Sequence, residues 1–352
     1  MIYFLVAAVL SFILTLLVKK FAQKLQIVDV PDELRKQHKK SVPLLGGTAI
    51  FISFWLVVFY LYNYSGIIFK HLSARQLILF FLAGLMLMVV GYFDDKFKIA
   101  YHYRLLFSAV AVLMVLAGGL NFDGITNPFG GTIGLDFWKI QTTHFGNILV
   151  GVEILAFLWL MGMIYTVKIL DGLDGLATGV VMIGALSVAA LAGGSTKFLQ
   201  PDVSLVALVL AGSCLGFLFL NFSPAKIFLG EGGGQFLGLM LGAIAIIAGS
   251  KIATALLVMA VPIIDLVYVI IGRLKNHQSI SEGDRRHLHF RLVDSGFKQW
   301  QAVLIFYLFA ALFGIAALFM SSGWKLATLL SLIFVVIILE NVVSRQQLYG
   351  KK

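Results

Sequence analysis

Eleven apolar runs of about 15 to 21 residues, set apart by short polar stretches, limit what this chain can fold into more than any other feature. About 20 apolar residues wound as a helix cross the hydrocarbon of a bilayer. In lipid every backbone N–H and C=O must be satisfied within the protein, which a helix achieves alone and a single strand does not. The runs fall at approximately 2–18, 44–62, 76–93, 105–120, 148–167, 176–194, 203–220, 236–250, 252–272, 302–320 and 326–343. The expectation is an all-α polytopic membrane protein with about 10–11 transmembrane helices, built as a single integral-membrane domain over residues 1–352. The break between the eighth and ninth runs rests on Gly249-Ser250-Lys251, and a re-entrant pair would fit there equally.

Composition excludes a soluble globular domain: 60% of residues are hydrophobic, 12% are charged, and the mean hydropathy is +0.97. The formal net charge of +10 does not point to nucleic acid, because the cations cluster between the apolar runs. Alternating the connecting loops puts 21 of the 27 Lys and Arg residues on one side. The positive-inside rule makes that side cytoplasmic, which places the N-terminus outside and the C-terminus inside. The first run is followed by Lys19 and Lys20 rather than a small-residue cleavage site, so a retained span is expected. Cys214, the single cysteine, rules out an intramolecular disulfide. Between spans, Asn127-Pro128-Phe129-Gly130-Gly131-Thr132 has the composition of a hairpin turn.

The unusual polar residues gather in five of the loops assigned to the cytoplasmic side. Lys168-Ile169-Leu170-Asp171-Gly172-Leu173-Asp174-Gly175 carries two carboxylates three residues apart, which on a helix would share a face. Each Asp near a bilayer centre is disfavoured by about 2.5–3.5 kcal/mol, so the pair calls for a cation or a cationic partner; a solvated helix cap would carry the same residues. Lys168 could pair with a carboxylate or contact a phosphate, and spacing does not choose. The loop from Asp32 to Gly47 holds Arg35 and His38 at i and i+3 before a Gly-Gly pair, which suits anion binding as well as membrane anchoring. Gly91-Tyr92-Phe93-Asp94-Asp95-Lys96 holds adjacent carboxylates about 100° apart on a helix, hence with different partners. Glu231 follows Asn221 and Gly230 and precedes Gly232-Gly233-Gly234, where backbone N–H groups and a carboxylate could meet a phosphate and its metal together. Arg285, Arg286, His287, His289 and Arg291 form a dense basic segment. Its histidines, at i and i+2, do not share a helix face, so a phosphate clamp fits better than zinc. Carboxylates beside phosphate-binding cations are the components of magnesium-assisted phosphoryl transfer.

Arg35-Lys36 with His38 and Gly46-Gly47, Asp94-Asp95, Asp171-Gly172-Leu173-Asp174-Gly175, Asn221 with Pro224-Ala225 and Phe228-Leu229-Gly230, and Asp284-Arg285-Arg286-His287-Leu288-His289 occur in that order. This series resembles the polyprenyl-phosphate N-acetylhexosamine-1-phosphate transferases (glycosyltransferase family 4). The last motif is similar to the N-acetylglucosamine-phosphate branch rather than the muramoyl-pentapeptide branch. The resemblance implies a catalytic domain that transfers a sugar 1-phosphate from a UDP-N-acetylhexosamine to undecaprenyl phosphate on the cytoplasmic face of a prokaryotic membrane. UMP leaves, and magnesium, with manganese as a substitute, assists. It also admits a homodimer. It implies catalytic roles for Asp94, Asp95, Asp171 and Asp174, and metal binding by Glu231 and Asp95. Substrate contacts are implied for Arg35, His38, Lys168, Asn221, Arg285, His287, His289 and Arg291. Glu231 stands where the family usually has Asp, Lys168 where Asn is common, and Phe290 in place of a second His. Gly232 to Gly234 are expected to let the backbone absorb the longer glutamate. Two other readings remain at this stage: the muramoyl-pentapeptide branch, separable by which UDP-sugar is consumed, and a transporter or channel, which would want charges at mid-span, where only Glu153 and Asp265 lie.

Overall fold

The computed structural model describes residues 1–30, 41–120, 125–126, 132–133, 139–142, 146–194, 199–249, 252–279 and 285–349. Within them lie thirteen helices. They are α1 (Ile2–Lys24), α2 (Gly46–Tyr64), α3 (Ala74–Phe97), α4 (Tyr101–Ala117), α5 (Val150–Leu170), α6 (Leu176–Gly194), α7 (Pro201–Asn221), α8 (Glu231–Ile247), α9 (Ile252–Val258), α10 (Ala260–Lys275), α11 (Leu288–Asp294), α12 (Gln299–Phe319) and α13 (Ser322–Tyr349). Three antiparallel strand pairs are small: β1 (Val28–Asp29) with β2 (Val42–Pro43), β3 (Ile125–Thr126) with β4 (Thr132–Ile133), and β5 (Lys139–Thr142) with β6 (Gly146–Leu149). The β3–β4 pair is the hairpin expected around Asn127 to Thr132, although residues 127–131 of its turn lie outside the described residues.

All eleven apolar runs are helical, and the chain is an all-α polytopic membrane protein. Among the described residues, seven helices (α1, α2, α3, α5, α6, α7 and α12) are long and apolar enough to cross a bilayer. Counting the bent pair α9–α10 as one span makes eight. The remaining apolar helices are shorter: α4, α8, and the Gly323–Val335 part of α13. The expected break at residues 249–251 is not the only one. The chain bends by 73° between α9 and α10, at Met259. Pro262 accounts for it, since a proline has no N–H to donate to the carbonyl of Val258 and its ring crowds that group.

The bundle sorts residues by size. On α1, Leu5, Val9, Phe12 and Leu16 are exposed, whereas Ala7, Ala8, Ser11 and Thr15 are buried against α7. Small residues inside and large apolar ones outside is the pattern of helices that face lipid. The centre is α8, whose residues from Gly232 to Ile246 are all buried. A helix apolar on every side belongs in a core, which explains how a 17-residue segment is used here. Two glycine contacts set its distance from its neighbours. Gly91 of α3 lies on the backbone of Gly232, and Gly47 of α2 lies on the backbone of Gly233, so a Cβ on either would overlap main chain. The N-terminus of α8 is thereby brought level with the C-terminal end of α3 and the N-terminal end of α2.

Candidate active site

At that level the structure has a cavity of about 760 Å³, within the range of about 300–1,000 Å³ usual for small-molecule sites. Its wall carries Asp95 and Lys98 from the end of α3, and Lys168, Asp171 and Asp174 from the end of α5 and the turn after it. Asn221, Ser223, Phe228, Gly230 and Glu231 come from the α7–α8 connection, and Asp29, Phe290 and Gln299 also line the cavity.

Asp95 is held by the start of α8. That helix has glycine, Gly230, at its N-cap and so no side chain to satisfy its first N–H groups. Asp95 supplies the missing acceptor from another helix: its Oδ1 takes a hydrogen bond from the Glu231 N–H at 3.3 Å. The positive end of α8 also favours a carboxylate there. The same bond removes an N–H expected to face a phosphate. The N–H groups of Gly233 and Gly234 are likewise committed, to the carbonyl of Gly230 at 3.1 and 3.3 Å. The Gly232–Gly234 run therefore serves helix packing. Because Gly232 and Gly233 are pinned between α3 and α2, the backbone there has no freedom to absorb the length of Glu231, contrary to the expectation from sequence.

The Glu231 carboxylate instead meets cations. Its Oε1 is ion-paired with Lys168 Nζ, accepts from Gln235 Nε2 at 3.0 Å and lies 4.0 Å from Arg104 Nη1. Arg104 also reaches Asp94 Oδ2 at 3.2 Å. Asp94 is buried, faces α4 rather than the cavity, and its Oδ1 has no hydrogen-bond partner. The adjacent carboxylates thus take different partners, as their angular separation on a helix requires.

Asp171 and Asp174 do not sit on a helix, and the shared helix face inferred from their spacing is corrected. α5 ends at Leu170, and Gly175, with φ of 82° in the left-handed region that glycine tolerates, closes a turn before α6. Both carboxylates still reach the cavity. Asp174 Oδ2 accepts from the Ala225 N–H at 3.0 Å, tying the turn to the α7–α8 connection. Asn221 secures that connection from within, donating to the Ile227 carbonyl at 3.0 Å and accepting from Thr178 Oγ1 at 3.3 Å. The Asp171 carboxyl is pushed well above the usual range, first by loss of solvent and then by the charges of Glu231, Asp95 and Asp174.

The basic segment is divided: His287, His289 and Arg291 are buried, whereas Arg285 and Arg286 are exposed. His287 is the N-cap of α11, outside the helix proper, so its ring stacks on that of His289 with centroids 5.7 Å apart and planes at 7°. The i, i+2 argument against a common direction fails because the first histidine is not helical. His287 Nδ1 and the Leu288 N–H bond the two oxygens of Asp265, each at 2.9 Å. An ionised carboxylate only accepts, so Nδ1 carries the hydrogen in this bond. His289 is wholly buried against Gly172, with no hydrogen-bond partner at either ring nitrogen, and burial pushes its pKa down to about 4. It is neutral at pH 7. Arg285 pairs with Asp294 at 2.6 Å and lies over the Phe290 ring, and Arg291 is buried. Of this segment Phe290 lines the cavity, whereas Arg285, His287, His289 and Arg291 are not part of its lining. Arg35, His38 and Asp284 lie outside the described residues.

Sequence reasoning passed over Arg104, hidden among the orienting cations, and weighed Asp265 only as a mid-span charge. Its signal was a buried acid within a span, which calls for a partner. Replacing Asp265 with Asn is expected to lower kcat more than it raises KM. The amide offers one acceptor for two donors, and a buried unsatisfied group costs about 1–3 kcal/mol. An unchanged kcat would show that the segment around His287 does not support the site.

The geometry also allows a test for a divalent ion. Among the described residues no three His, Cys, Asp or Glu side chains converge closely enough to cage a metal alone. Magnesium at a diphosphate does not require a cage: it takes one or two carboxylates and fills its remaining positions with phosphate and water. Asp95 and Glu231, joined through the Glu231 N–H and facing one cavity, provide that donor set.

Residues 77–249, which contain Asp94, Asp95, Asp171, Asp174 and Glu231, match glycosyl transferase family 4. Among curated relatives, a probable undecaprenyl-phosphate N-acetylglucosaminyl 1-phosphate transferase of Bacillus subtilis is 32% identical over 349 residues, covering 97% of this chain and 90% of that protein. A decaprenyl-phosphate N-acetylglucosaminephosphotransferase of Mycobacterium tuberculosis is 30% identical, over 89% of this chain and 80% of that protein. A phospho-N-acetylmuramoyl-pentapeptide-transferase of Chlorobium chlorochromatii is less similar, 28% identical over 89% of this chain and 90% of that protein. Similarity runs nearly end to end and takes in the acidic turns that meet at the cavity: the chain belongs to glycosyl transferase family 4.

Proposed function

We propose that this chain transfers N-acetylglucosamine 1-phosphate from its UDP-sugar to undecaprenyl phosphate, releasing UMP and starting a cell-envelope glycan. The observation that carries the reading is the convergence of Asp95, Asp171, Asp174 and Glu231, with Lys98 and Lys168, on one cavity where apolar helices end. The two N-acetylglucosamine enzymes described above carry a polyprenyl phosphate in their names, and greater similarity to them than to the muramoyl-pentapeptide enzyme favours that sugar. Charges at one end of the bundle, rather than at mid-span, disfavour a transporter. We assign this end to the cytoplasmic face of a prokaryotic membrane from the distribution of Lys and Arg, with the N-terminus outside.

In this mechanism an oxygen of the lipid phosphate attacks the β-phosphorus, forming a P–O bond as the bond to UMP breaks and the electron pair leaves with UMP. Asp95 and Glu231 would hold magnesium, which when bound neutralises the diphosphate and stabilises the departing UMP. Lys98 and Lys168 meet phosphate oxygens. Asp171 and Asp174 face the nucleotide side, and Phe290 supplies an aromatic wall. Asp94, buried on Arg104, positions that guanidinium beside Glu231 and is poorly placed to be a nucleophile.

The test is UMP release by the purified protein with undecaprenyl phosphate and a panel of UDP-N-acetylhexosamines, with and without magnesium. Release with UDP-N-acetylglucosamine, dependent on both lipid and metal, is expected, with inversion at a chiral β-phosphorus. Retention would show a covalent enzyme intermediate and overturn direct attack. No UMP from any donor would overturn the function.

A further inference from the structure

We infer that Lys168 is a displaceable counter-ion on Glu231, so that a divalent cation enters the site favourably only together with a phosphate group that takes the lysine over. The inference rests on the reading that the cavity receives a nucleotide diphosphate with its metal. Its own basis is the ion pair between Lys168 Nζ and Glu231 Oε1, which puts a protein cation where the proposed metal would bind.

Three features make the lysine the movable partner. Its backbone is fixed, since α5 runs against α8 where Gly234 faces the Lys168 main chain, so only the side chain has freedom. That side chain ends in a compact charge on a flexible stem with rotatable donors, and both it and Glu231 are partly open to the cavity, at 22% and 16% exposure. Arg104, by contrast, is braced at 3.2 Å by Asp94 and stays beside Glu231 whichever cation occupies the front of the carboxylate. In this paired position Lys168 Nζ also lies 5.5 Å from the centre of the Tyr165 ring.

Charge balance sets the order of events. A divalent ion arriving alone adds two positive charges beside Lys98, Lys168 and Arg104 and must displace Lys168 with no anion to receive it. Arriving with the doubly charged diphosphate of a UDP-sugar it brings no net charge, and with UDP a net negative one, and the ammonium moves from a carboxylate oxygen to a phosphate oxygen. No covalent bond changes; one ion pair is exchanged for two. By linkage, whatever factor nucleotide adds to metal affinity, metal adds to nucleotide affinity.

The experiment titrates Mn²⁺, read as the loss of its free-ion electron paramagnetic resonance signal, into the full chain in detergent with and without UDP. Wild-type protein is expected to bind Mn²⁺ weakly alone and more tightly with UDP, by roughly 5- to 150-fold, the ordinary range of coupling between sites. Lys168→Gln is expected to tighten Mn²⁺ binding in the absence of UDP by roughly 5-fold or more and to shrink the UDP enhancement by the same factor. Lys168→Arg, which keeps the charge, is expected to keep weak metal-only binding, so a tightening in the Gln variant alone is not a folding effect. Metal-only binding that is unchanged or weaker in Lys168→Gln overturns the counter-ion role. Absence of any UDP effect in wild type and variants alike overturns the nucleotide reading, while the metal-only comparison still decides the role of the lysine.

Discussion

Replacement of Asp95 by Asn is expected to reduce UMP release by about 10²- to 10³-fold, the usual consequence of removing one preorganised electrostatic group from an active site. The substitution is chosen because Asn keeps an oxygen where Asp95 Oδ1 accepts the Glu231 N–H, so the start of α8 remains capped. What disappears is the charge and, with it, one of the two carboxylates of the proposed magnesium site. Loss of the charge–dipole attraction at α8 amounts to about 0.3–1 kcal/mol, which shifts Tm by no more than about 2–4 °C. A large kinetic loss with a small thermal shift is therefore the signature. Activity within a few-fold of wild type would place the metal elsewhere.

Glu231→Gln is expected to cause a loss of the same size or larger, for a second reason. Removing this carboxylate leaves Lys168 and Arg104 facing each other without the anion that now lies between them. The variant thus combines a missing ligand with uncompensated positive charge, and UMP release at saturating UDP-sugar and magnesium measures both. Glu231→Asp tests geometry separately. It restores the charge one methylene short, and since Gly232 and Gly233 are locked against α3 and α2 the main chain cannot advance to restore the reach. Intermediate activity is expected. Full activity in Glu231→Asp would mean that the position of the carboxylate oxygen is not critical, and full activity in Glu231→Gln would remove Glu231 from the metal site.

Much of this architecture was legible in the sequence because lipid imposes a simple rule on the backbone. Runs of apolar residues had to be helices, and all eleven are. Their lengths were less informative: α8 is short because it is surrounded by protein, and no local pattern distinguishes burial in a bundle from burial in a bilayer. The carboxylates that meet, Asp95, Asp171, Asp174 and Glu231, were nameable because acids at the ends of apolar runs are otherwise unfavourable. Their local geometry was not. Asp171 and Asp174 sit on a turn because Gly175 takes a left-handed conformation, which spacing alone does not reveal. The histidines stack because His287 falls one residue before α11 begins, and helix boundaries are the part of a sequence reading most easily displaced. Lys168 could not be assigned to a carboxylate or a phosphate, since its partner Glu231 is remote in sequence and only the packing of α5 on α8 joins them.

The touching main chains of α2, α3 and α8 separate what evolution can alter from what it cannot. With Gly47 on Gly233 and Gly91 on Gly232, no side-chain padding remains to be resized, so the spacing of Asp95 and Glu231 is inherited as one unit. On the opposite wall, where Phe290 and Gln299 meet the cavity from α11 and the start of α12, the tight glycine contact is with a side chain, Gly172 against the Phe290 ring, rather than with main chain. Substitutions on that wall can therefore reshape the cavity while the backbone spacing of Asp95 and Glu231 on the glycine-clamped side is left in place.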